Sequence, residues 1–393
     1  MDYTTGMENR SKEQITALIL EAANRGSTKT EMMYETVLTY EKLSEYCTAL
    51  LESGLIEYQI GERTYKTTEK GLSFLRDYRE RACKRVRPTS NSRQFEKVLI
   101  VGLGQIGFPV AKYVKERGFD TYGYDINTEA MENAQRSIGI KQVTDFGSYD
   151  FDVYVICVST HKPDDIFSPQ IDGILSVADK ISREAKNDAI VSIESTIPKG
   201  TSKKVFEILN HRLHVVHAPH RWYASEEKEH GVNQLRVIGG VCDCCLRVGL
   251  QFYGSYNDGI DRGNYPTTSS SYKDLRIAMH PVSQIETAEI TKIAENAHRY
   301  LQIAFAEELY LYCQANDINF SELRDAVNTK WNVEILEARE GIGKHCLPKD
   351  TKMFLESSKL ARSKILAAAM EVDEDYKRYR AKLYSQHERK MSV

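Results

Sequence analysis

A nearly apolar pentapeptide followed at once by spaced glycines constrains the fold of this 393-residue chain more than any other feature. Residues 97–101 read Lys-Val-Leu-Ile-Val, which is typical of a parallel strand buried on both faces. The first glycine of the following Gly-x-Gly-x-x-Gly pattern permits a tight turn, the second lets the backbone approach a pyrophosphate, and the third lets a helix pack on the strand. We therefore predict a dinucleotide-binding turn made of Gly102, Gly104, Gln105, Ile106 and Gly107.

An acidic residue ends the next strand pattern. Asp125 follows Thr-Tyr-Gly-Tyr at residues 121–124, about 20 residues after the glycines, where a carboxylate binds the ribose 2′-hydroxyl and repels a 2′-phosphate. Strand, glycines, helix, strand and acid in this order predict NAD rather than NADP as cofactor. The alternative is a Rossmann unit that binds no nucleotide.

Two further apolar strand patterns, at residues 153–158 and 189–193, end in small polar or acidic residues. In open parallel sheets, ligands bind beyond the carboxyl ends of the strands. We therefore predict that NAD is also contacted by Ser159, Thr160 and Glu194.

Residues 1–90 form a separate pattern of three helices, two short strands joined by Gly61-Glu62, and a last helix. This order, with the phrase Leu-Ile-x-Tyr…Tyr-x-Thr-Thr-x-Lys-Gly, resembles an archaeal-type winged helix-turn-helix. The module carries 14 basic and 14 acidic side chains, and its presumed recognition helix presents Glu41, Lys42, Glu45 and Glu52, a mainly acidic set that would repel phosphates. Two roles stay open, DNA binding and protein contact or dimerisation.

Composition excludes several classes of protein. The chain is 41% hydrophobic and 28% charged, so it can form packed cores, and its net charge of −3 argues against a strongly electrostatic nucleic-acid or membrane binder as a whole. No apolar run approaches the ~20 residues that span a bilayer, and the amino terminus shows no signal-peptide pattern. Eight cysteines without a repeating framework predict reduced thiols and a cytoplasmic location.

Two clusters of potential metal ligands are predicted to bind no metal. The histidines recur every three residues between positions 211 and 220, so on a strand they alternate between faces. The run Cys-Asp-Cys-Cys at residues 242–245 lacks a second spaced pair of cysteines.

Four residues in the last third of the chain predict covalent dehydrogenase chemistry. Lys292 and Asn296 are four residues apart, so they share one face of a predicted helix, and Cys346 stands four residues before Asp350. A cysteine thiolate captures an aldehyde as a thiohemiacetal, and the loss of a second hydride leaves a thioester for water. The amine and amide can hold water or stabilise an alkoxide, and the carboxylate can transfer a proton.

Several phrases resemble the UDP-glucose/GDP-mannose dehydrogenase family, nearest the branch that oxidises UDP-N-acetylmannosamine. The resemblance covers roughly residues 96–380, and it implies the roles above for the four residues and a contact of Thr196 with the catalytic water. The matching phrases are Val98–Ala111, Cys157–Thr160, Glu194–Thr201, Arg236–Gly240, Ala288–Arg299 and Gly341–Asp350.

The resemblance also implies the fold and the domain order. We expect a winged helix-turn-helix domain (1–90), a linker (91–95), an α/β Rossmann-like NAD domain (96–282) and an all-α central domain with the catalytic cysteine (283–393). The helix from Glu286 to Ala315 has an apolar face that builds the dimer interface in the family, so we expect a homodimer.

Three departures from the family pattern keep a second function open. Lys344 replaces a glycine beside the cysteine, and His220 stands where the family has glutamate. The 43 residues after Asp350 predict one charged helix over roughly 358–382, too short for the family's third, uridine-diphosphate-binding domain. The first hypothesis is an NAD-dependent nucleotide-sugar 6-dehydrogenase. The alternative is an NAD(H)- or sugar-responsive DNA-binding regulator on a degenerate dehydrogenase.

Overall fold

The protein divides into two compact units, which a computed structural model describes separately. The amino-terminal unit is Met1–Thr89 and the carboxy-terminal unit is Ser90–Val393. No helix in the described parts of either unit is long and apolar enough to cross a membrane. The described residues are 11–24, 26–86, 94–162, 164–221, 231–254, 273–343, 346–357 and 364–391.

The amino-terminal unit has three helices, a β-hairpin and a fourth helix, as the sequence predicts. Its elements are α1 (Lys12–Ala23), α2 (Lys29–Thr36), α3 (Tyr40–Glu52), β1 (Ile56–Gln59), β2 (Thr64–Thr67) and α4 (Glu69–Val86). The first three helices begin behind Ser11, Thr28 and Thr39, whose hydroxyl oxygens accept hydrogen bonds from backbone N–H groups of the first turn. A bridge between Ser27 and Tyr65 adds a third short strand to the hairpin. Of the predicted linker (91–95), residues 91–93 lie outside the described residues.

The core of this unit comes from apolar positions that recur at helical spacing. Ile19, Leu20, Met32 and Leu43 are fully buried and pack together between α1, α2 and α3. The winged-helix prediction is therefore confirmed, although both strands are a residue or two shorter than the apolar runs suggest.

The carboxy-terminal unit is built on an eight-stranded sheet with the order β10-β9-β8-β7-β6-β3-β4-β5. β3 to β8 are parallel, β9 runs antiparallel to β8, and β10 is parallel to β9. The strand order reverses between β3 and β6, and ligands of such sheets bind beyond the carboxyl ends of the strands at that point. The strands are β3 (Lys97–Val101), β4 (Asp120–Tyr124), β5 (Lys141–Gln142), β6 (Val153–Ile156), β7 (Ile190–Ile193), β8 (His214–His217), β9 (Arg236–Gly240) and β10 (Met279–Val282).

Nine helices accompany this sheet in the described residues. They are α5 (Gly107–Glu116), α6 (Thr128–Ile138), α7 (Asp172–Glu184), α8 (Thr201–Ile208), α9 (Asp243–Tyr253), α10 (Ile285–Ala315), α11 (Phe320–Asn328), α12 (Cys346–Ser357) and α13 (Lys364–Met391). The long helix α10 packs against α12 and α13, with Tyr300, Ala304 and Ala369 in a shared apolar cluster. The Rossmann-like sheet followed by a helical region confirms the predicted fold class.

The last helix, α13, differs from its predicted bounds, and the apolar face of α10 is only partly buried. The last helix continues to Met391 instead of ending near residue 382, and residues 358–363, where its start is predicted, lie outside the described residues. On α10, Ile293 and Ala297 are buried, whereas Phe305 is 53% exposed in the single chain.

Candidate active site

The glycine turn joins β3 to α5 with the backbone geometry that the spacing predicts. Gly102 has φ +91°, and a Cβ atom there would lie 2.7 Å from the carbonyl oxygen of Cys157. A Cβ on Gly107 would overlap the carbonyl oxygen of Gly102, so helix and turn touch through backbone alone. A Cβ on Gly104 would meet no described atom within 4 Å, so this face of the turn is open to a ligand.

The positive end of α5 faces this open side of the turn. Gln105 is exposed and Ile106 is half-buried, and no described side chain caps the helix at Ile106. Backbone N–H groups at an uncapped helix start bind phosphate well. The turn therefore fits the pyrophosphate of NAD.

Asp125 lies just past β4 and holds the glycine turn. Its Oδ2 accepts a hydrogen bond from the backbone N–H of Leu103 at 2.6 Å, and its Oδ1 accepts one from Asn127 N–H at 2.8 Å. The half-buried carboxylate is thus fixed beside the turn, where the sequence predicts the ribose contact.

Ser159 and Thr160, three and four residues after the end of β6, have different environments. Ser159 is exposed. Thr160 is buried, and its Oγ1 accepts a hydrogen bond from Lys349 Nζ at 3.1 Å. Thr160 therefore links the carboxyl edge of the sheet to α12.

Glu194, at the end of β7, lies in a buried polar cluster. Its Oε2 is 2.8 Å from Arg236 Nη1, and its Oε1 accepts a hydrogen bond from the Tyr253 hydroxyl at 2.6 Å. Arg236 is fully buried, so the pair balances two charges that could not be buried singly. The sequence analysis did not identify Arg236 or Tyr253 as partners of Glu194. An arginine at the start of an otherwise apolar strand was a signal for a buried carboxylate nearby.

His220 completes this cluster. Its Nε2 is 3.0 Å from Arg236 Nη2 and 3.6 Å from Glu194 Oε2. Burial, together with the positive charges of Arg236 and Lys292, holds the pKa of His220 well below its usual value. The ring is therefore neutral at pH 7 and can accept a hydrogen bond from the guanidinium.

The segment after His220 is tied to α10. Arg221 forms an ion pair with Glu295, the neighbour of Asn296. Residues 222–230 lie outside the described residues.

Asn296 and Asp350 meet although 54 positions separate them. The Nδ2 of Asn296 on α10 donates a hydrogen bond to Asp350 Oδ2 at 2.5 Å. Lys349 Nζ lies 2.7 Å from Asp350 Oδ1, and Lys349 and Asp350 are 5% and 2% exposed. The carboxylate is held by an amide on one side and a cation on the other, and sequence reasoning missed Lys349.

The remaining predicted catalytic residues lie on α10, on α12 and after β7. Lys292 is half-buried one helical turn before Asn296, on the same face of α10. Cys346 is exposed at the first turn of α12, one turn before Asp350. Thr196 is half-buried beyond β7, and Lys344 lies outside the described residues, so its predicted effect stays a prediction.

Comparison with protein families gives three matches that follow one another along the chain. Residues 9–85 match a winged helix-turn-helix. Residues 132–257 match the NAD binding domain of the UDP-glucose/GDP-mannose dehydrogenase family, and residues 286–375 match its central domain. The two dehydrogenase matches together cover more than half of the chain, and the glycine turn precedes the first of them.

Several curated relatives share one enzyme name. The UDP-N-acetyl-D-mannosamine dehydrogenase of Methanococcus maripaludis is 27% identical over 304 residues, which are 72% of this chain and 66% of the relative. The enzyme of that name from Pyrococcus horikoshii is 28% identical over 291 residues, 67% of this chain and 65% of the relative. The chain thus spans slightly less than two thirds of these relatives.

Solved structures agree with the sequence relatives. The UDP-D-ManNAc dehydrogenase of Pyrococcus horikoshii superposes with a TM-score of 0.61 at 25% identity, covering 76% of this chain and 72% of the other. The native UDP-N-acetyl-mannosamine dehydrogenase of Staphylococcus aureus gives 0.57 at 25% identity, covering 74% and 70%. The carboxy-terminal unit therefore shares its fold with nucleotide-sugar dehydrogenases.

Proposed function

Because the chain belongs to the UDP-glucose/GDP-mannose dehydrogenase family, we propose that it oxidises the primary alcohol of a nucleotide sugar to a carboxylate with NAD. The relatives' names point to UDP-N-acetylmannosamine as the first substrate to test. The observation that carries the proposal is the contact of Asn296 with Asp350. This contact joins α10 to α12, the helix that begins with Cys346. Lys292 and Asn296 therefore come from one of two adjoining helices, and Cys346 and Asp350 come from the other.

NAD bound at the glycine turn supplies the hydride acceptor, and the oxidation needs two NAD molecules in succession. In the first oxidation, the alcohol loses a hydride from carbon and a proton from oxygen, leaving an aldehyde. Asp350 is the proton acceptor that we assign, because Asn296 and Lys349 fix its two oxygens.

The second oxidation proceeds through a covalent intermediate on the sulfur of Cys346. The Cys346 thiolate adds to the aldehyde carbon and gives a thiohemiacetal, whose oxyanion Lys292 and Asn296 stabilise. Loss of the second hydride leaves a thioester. Water adds to it, positioned by Thr196 and the Lys292–Asn296 face, and the carboxylate product departs as the thiol is restored.

Two variants test this sequence of steps in the full-length protein. Wild type should produce two NADH per UDP-N-acetylmannosamine oxidised, together with the acid, as followed by absorbance and mass spectrometry. Cys346→Ser should lose the acid and release at most the aldehyde, while Lys292→Ala should slow turnover without changing NAD affinity. Cys313→Ser, a buried cysteine of α10, is the matched control. Wild type that forms no NADH with any UDP-hexose or UDP-N-acetylhexosamine would overturn the proposal.

The amino-terminal unit favours a second candidate, a regulator whose carboxy-terminal unit responds to NAD(H) or a sugar. Residues 9–85 match a winged helix-turn-helix, and helix-turn-helix motifs commonly dock a recognition helix in the major groove of DNA. Against this, α3 exposes Glu41, Glu45 and Glu52. Fluorescence anisotropy with duplex DNA at low salt tests the candidate, which predicts binding that NADH alters. Lack of any DNA binding would leave protein contact as the role of the unit.

A homodimer is proposed for either function. Phe305 and Tyr312 are seven residues apart on α10, so they lie on one face, and they are 53% and 56% exposed in the single chain. A second copy packed along this face would bury both rings. In a regulator, the same two-fold symmetry would suit paired DNA half-sites.

A further inference from the structure

A histidine and a group of cysteines meet at the edge of the sheet where β8 begins. One ligand atom each from His214, Cys244 and Cys245 lie within 4.8 Å of one another. The Sγ of Cys242 is 2.9 Å from that of Cys244 and 3.3 Å from that of Cys245. We propose that these four residues form a binding site for a thiophilic divalent ion of the Zn²⁺ class, independently of the proposed oxidation.

The separations between the ligand atoms suit such an ion after small side-chain movements. Tetrahedral zinc with metal–sulfur bonds of about 2.3 Å holds two sulfur ligands roughly 3.8 Å apart. The sulfur of Cys242 lies 2.9 Å from that of Cys244 and 3.3 Å from that of Cys245, and the ligand atoms of His214, Cys244 and Cys245 lie within 4.8 Å of one another. Three thiolates and one imidazole make a closed four-ligand set, which is the composition of structural rather than catalytic zinc sites.

The histidine already has the partner that a metal-bound imidazole requires. His214 Nε2 lies 2.9 Å from Asp188 Oδ1. Metal-binding histidines usually donate their second N–H to a carboxylate, which fixes the tautomer and aims the other nitrogen at the metal. Asp188 is itself held, because its backbone N–H donates to the carbonyl oxygen of Arg212 at 3.0 Å. With Nε2 directed at Asp188, Nδ1 is the nitrogen that we assign to the ion.

Burial distinguishes this site from a cluster of solvent-exposed thiols. His214 is 4% exposed and Cys245 is fully buried, whereas Cys242 and Cys244 are half-buried, so an ion could enter from one side. The sequence analysis predicted no zinc site here, because no second cysteine pair accompanies residues 242–245. The fold supplies the fourth ligand from a strand that precedes those cysteines.

The bound ion would stabilise elements that also support the active site. Cys242 caps the start of α9, and α9 ends at Tyr253, whose hydroxyl donates to Glu194. An ion shared by β8 and the first turn of α9 would cross-link the two elements. Because a site of this kind is assembled only in the folded chain, metal binding adds to folding stability.

Cobalt titration of the reduced, metal-free full-length protein tests the site. Co²⁺ should bind one per chain with a thiolate-to-metal charge-transfer band, and Zn²⁺ should displace it and raise the melting temperature. Cys244→Ser and Cys245→Ser should each weaken the band, and the double variant should abolish it. Asp188→Ala should lower the affinity by about 10- to 100-fold, since it touches the histidine and not the ion.

Two control variants separate this site from other thiols. Cys313→Ser and Cys346→Ser should leave the band unchanged, because neither residue belongs to the cluster. A band that survives the Cys244→Ser/Cys245→Ser double variant, or no band in the wild type, would overturn the proposal. So would a disulfide between Cys242 and Cys244, detected by mass, in a protein that takes up no metal after reduction.

Discussion

Lys349 on α12 donates a hydrogen bond to the Oγ1 of Thr160, which stands 189 positions earlier at the carboxyl edge of the sheet. The same ammonium group lies 2.7 Å from Asp350, so one buried cation connects the proposed proton acceptor to the NAD-binding edge. This hydrogen bond ties α12, which carries the proposed catalytic Cys346 and Asp350, to the carboxyl edge of the Rossmann sheet.

Thr160→Val should destabilise the carboxy-terminal unit by about 1–3 kcal/mol, because a buried ammonium loses one hydrogen-bond acceptor. Thr160→Ser keeps the hydroxyl and should fall near wild type. Chemical denaturation of both variants measures the difference, and NAD-dependent turnover should fall with Thr160→Val alone. Equal stability of the two variants would mean that the Lys349–Thr160 bond contributes nothing.

Asp125→Asn should weaken NAD binding and allow NADP to bind more tightly than it does to wild type. The carboxylate no longer repels a 2′-phosphate, although an amide oxygen can still accept the Leu103 hydrogen bond. Isothermal titration with both dinucleotides measures the ratio of affinities. Asp150→Asn, at an exposed position just before β6, is the control. An unchanged ratio in Asp125→Asn would show that this carboxylate does not select the cofactor.

Arg236→Met should cost about 3–5 kcal/mol, because it leaves Glu194 buried without its counter-charge. Glu194→Gln in the same chain should recover most of that loss, since the neutral amide can still accept from Tyr253. Unfolding free energies of the single and double variants form the test, with exposed Arg247→Met as the control. A double variant no more stable than Arg236→Met would argue against a charge-balanced pair.

Glu307 should make stability fall as pH rises. Burial and the neighbouring Asp373 raise its pKa from 4.5 to about 8, an effect that Lys377 partly offsets. Since the folded-state pKa exceeds the unfolded one, the protonated carboxyl stabilises the fold fully below pH 4.5, and this contribution is lost between pH 4.5 and about 8. Melting temperatures of Glu307→Gln should decline less across that window than those of wild type. Glu308→Gln, at an exposed neighbouring position, should follow wild type.

Replacing the two exposed rings of α10 should dissociate the proposed dimer. The double variant Phe305→Glu/Tyr312→Glu places like charges on a face that would otherwise be covered by its copy. Light scattering of the full-length chain should change from dimer to monomer, with an unaltered melting profile for the winged helix. A variant that stays dimeric would locate the interface elsewhere.

Sequence patterns predicted what depends on neighbours along the chain. The glycine turn is set by backbone contacts within one strand–helix unit, and the Lys292–Asn296 face by helical periodicity. Sequence patterns could not predict which distant elements come into contact, because those contacts depend on strand order and on the packing of α10 against α12. The contact of Asn296 with Asp350 and the ion pair of Arg236 with Glu194 are of this second kind.

The direction of β9 has a consequence for both proposed sites. Since β9 runs against β8, its first residue, Arg236, arrives at the sheet edge where the parallel strands end, and its last residues lead to Cys242 beside the start of β8. The five-residue length of β9 thus sets the separation between Arg236 at one edge of the sheet and Cys242 at the other. Adding one residue to β9 would turn its side chains to the opposite faces and misplace one end or the other, so natural variation in this strand should be confined to substitutions.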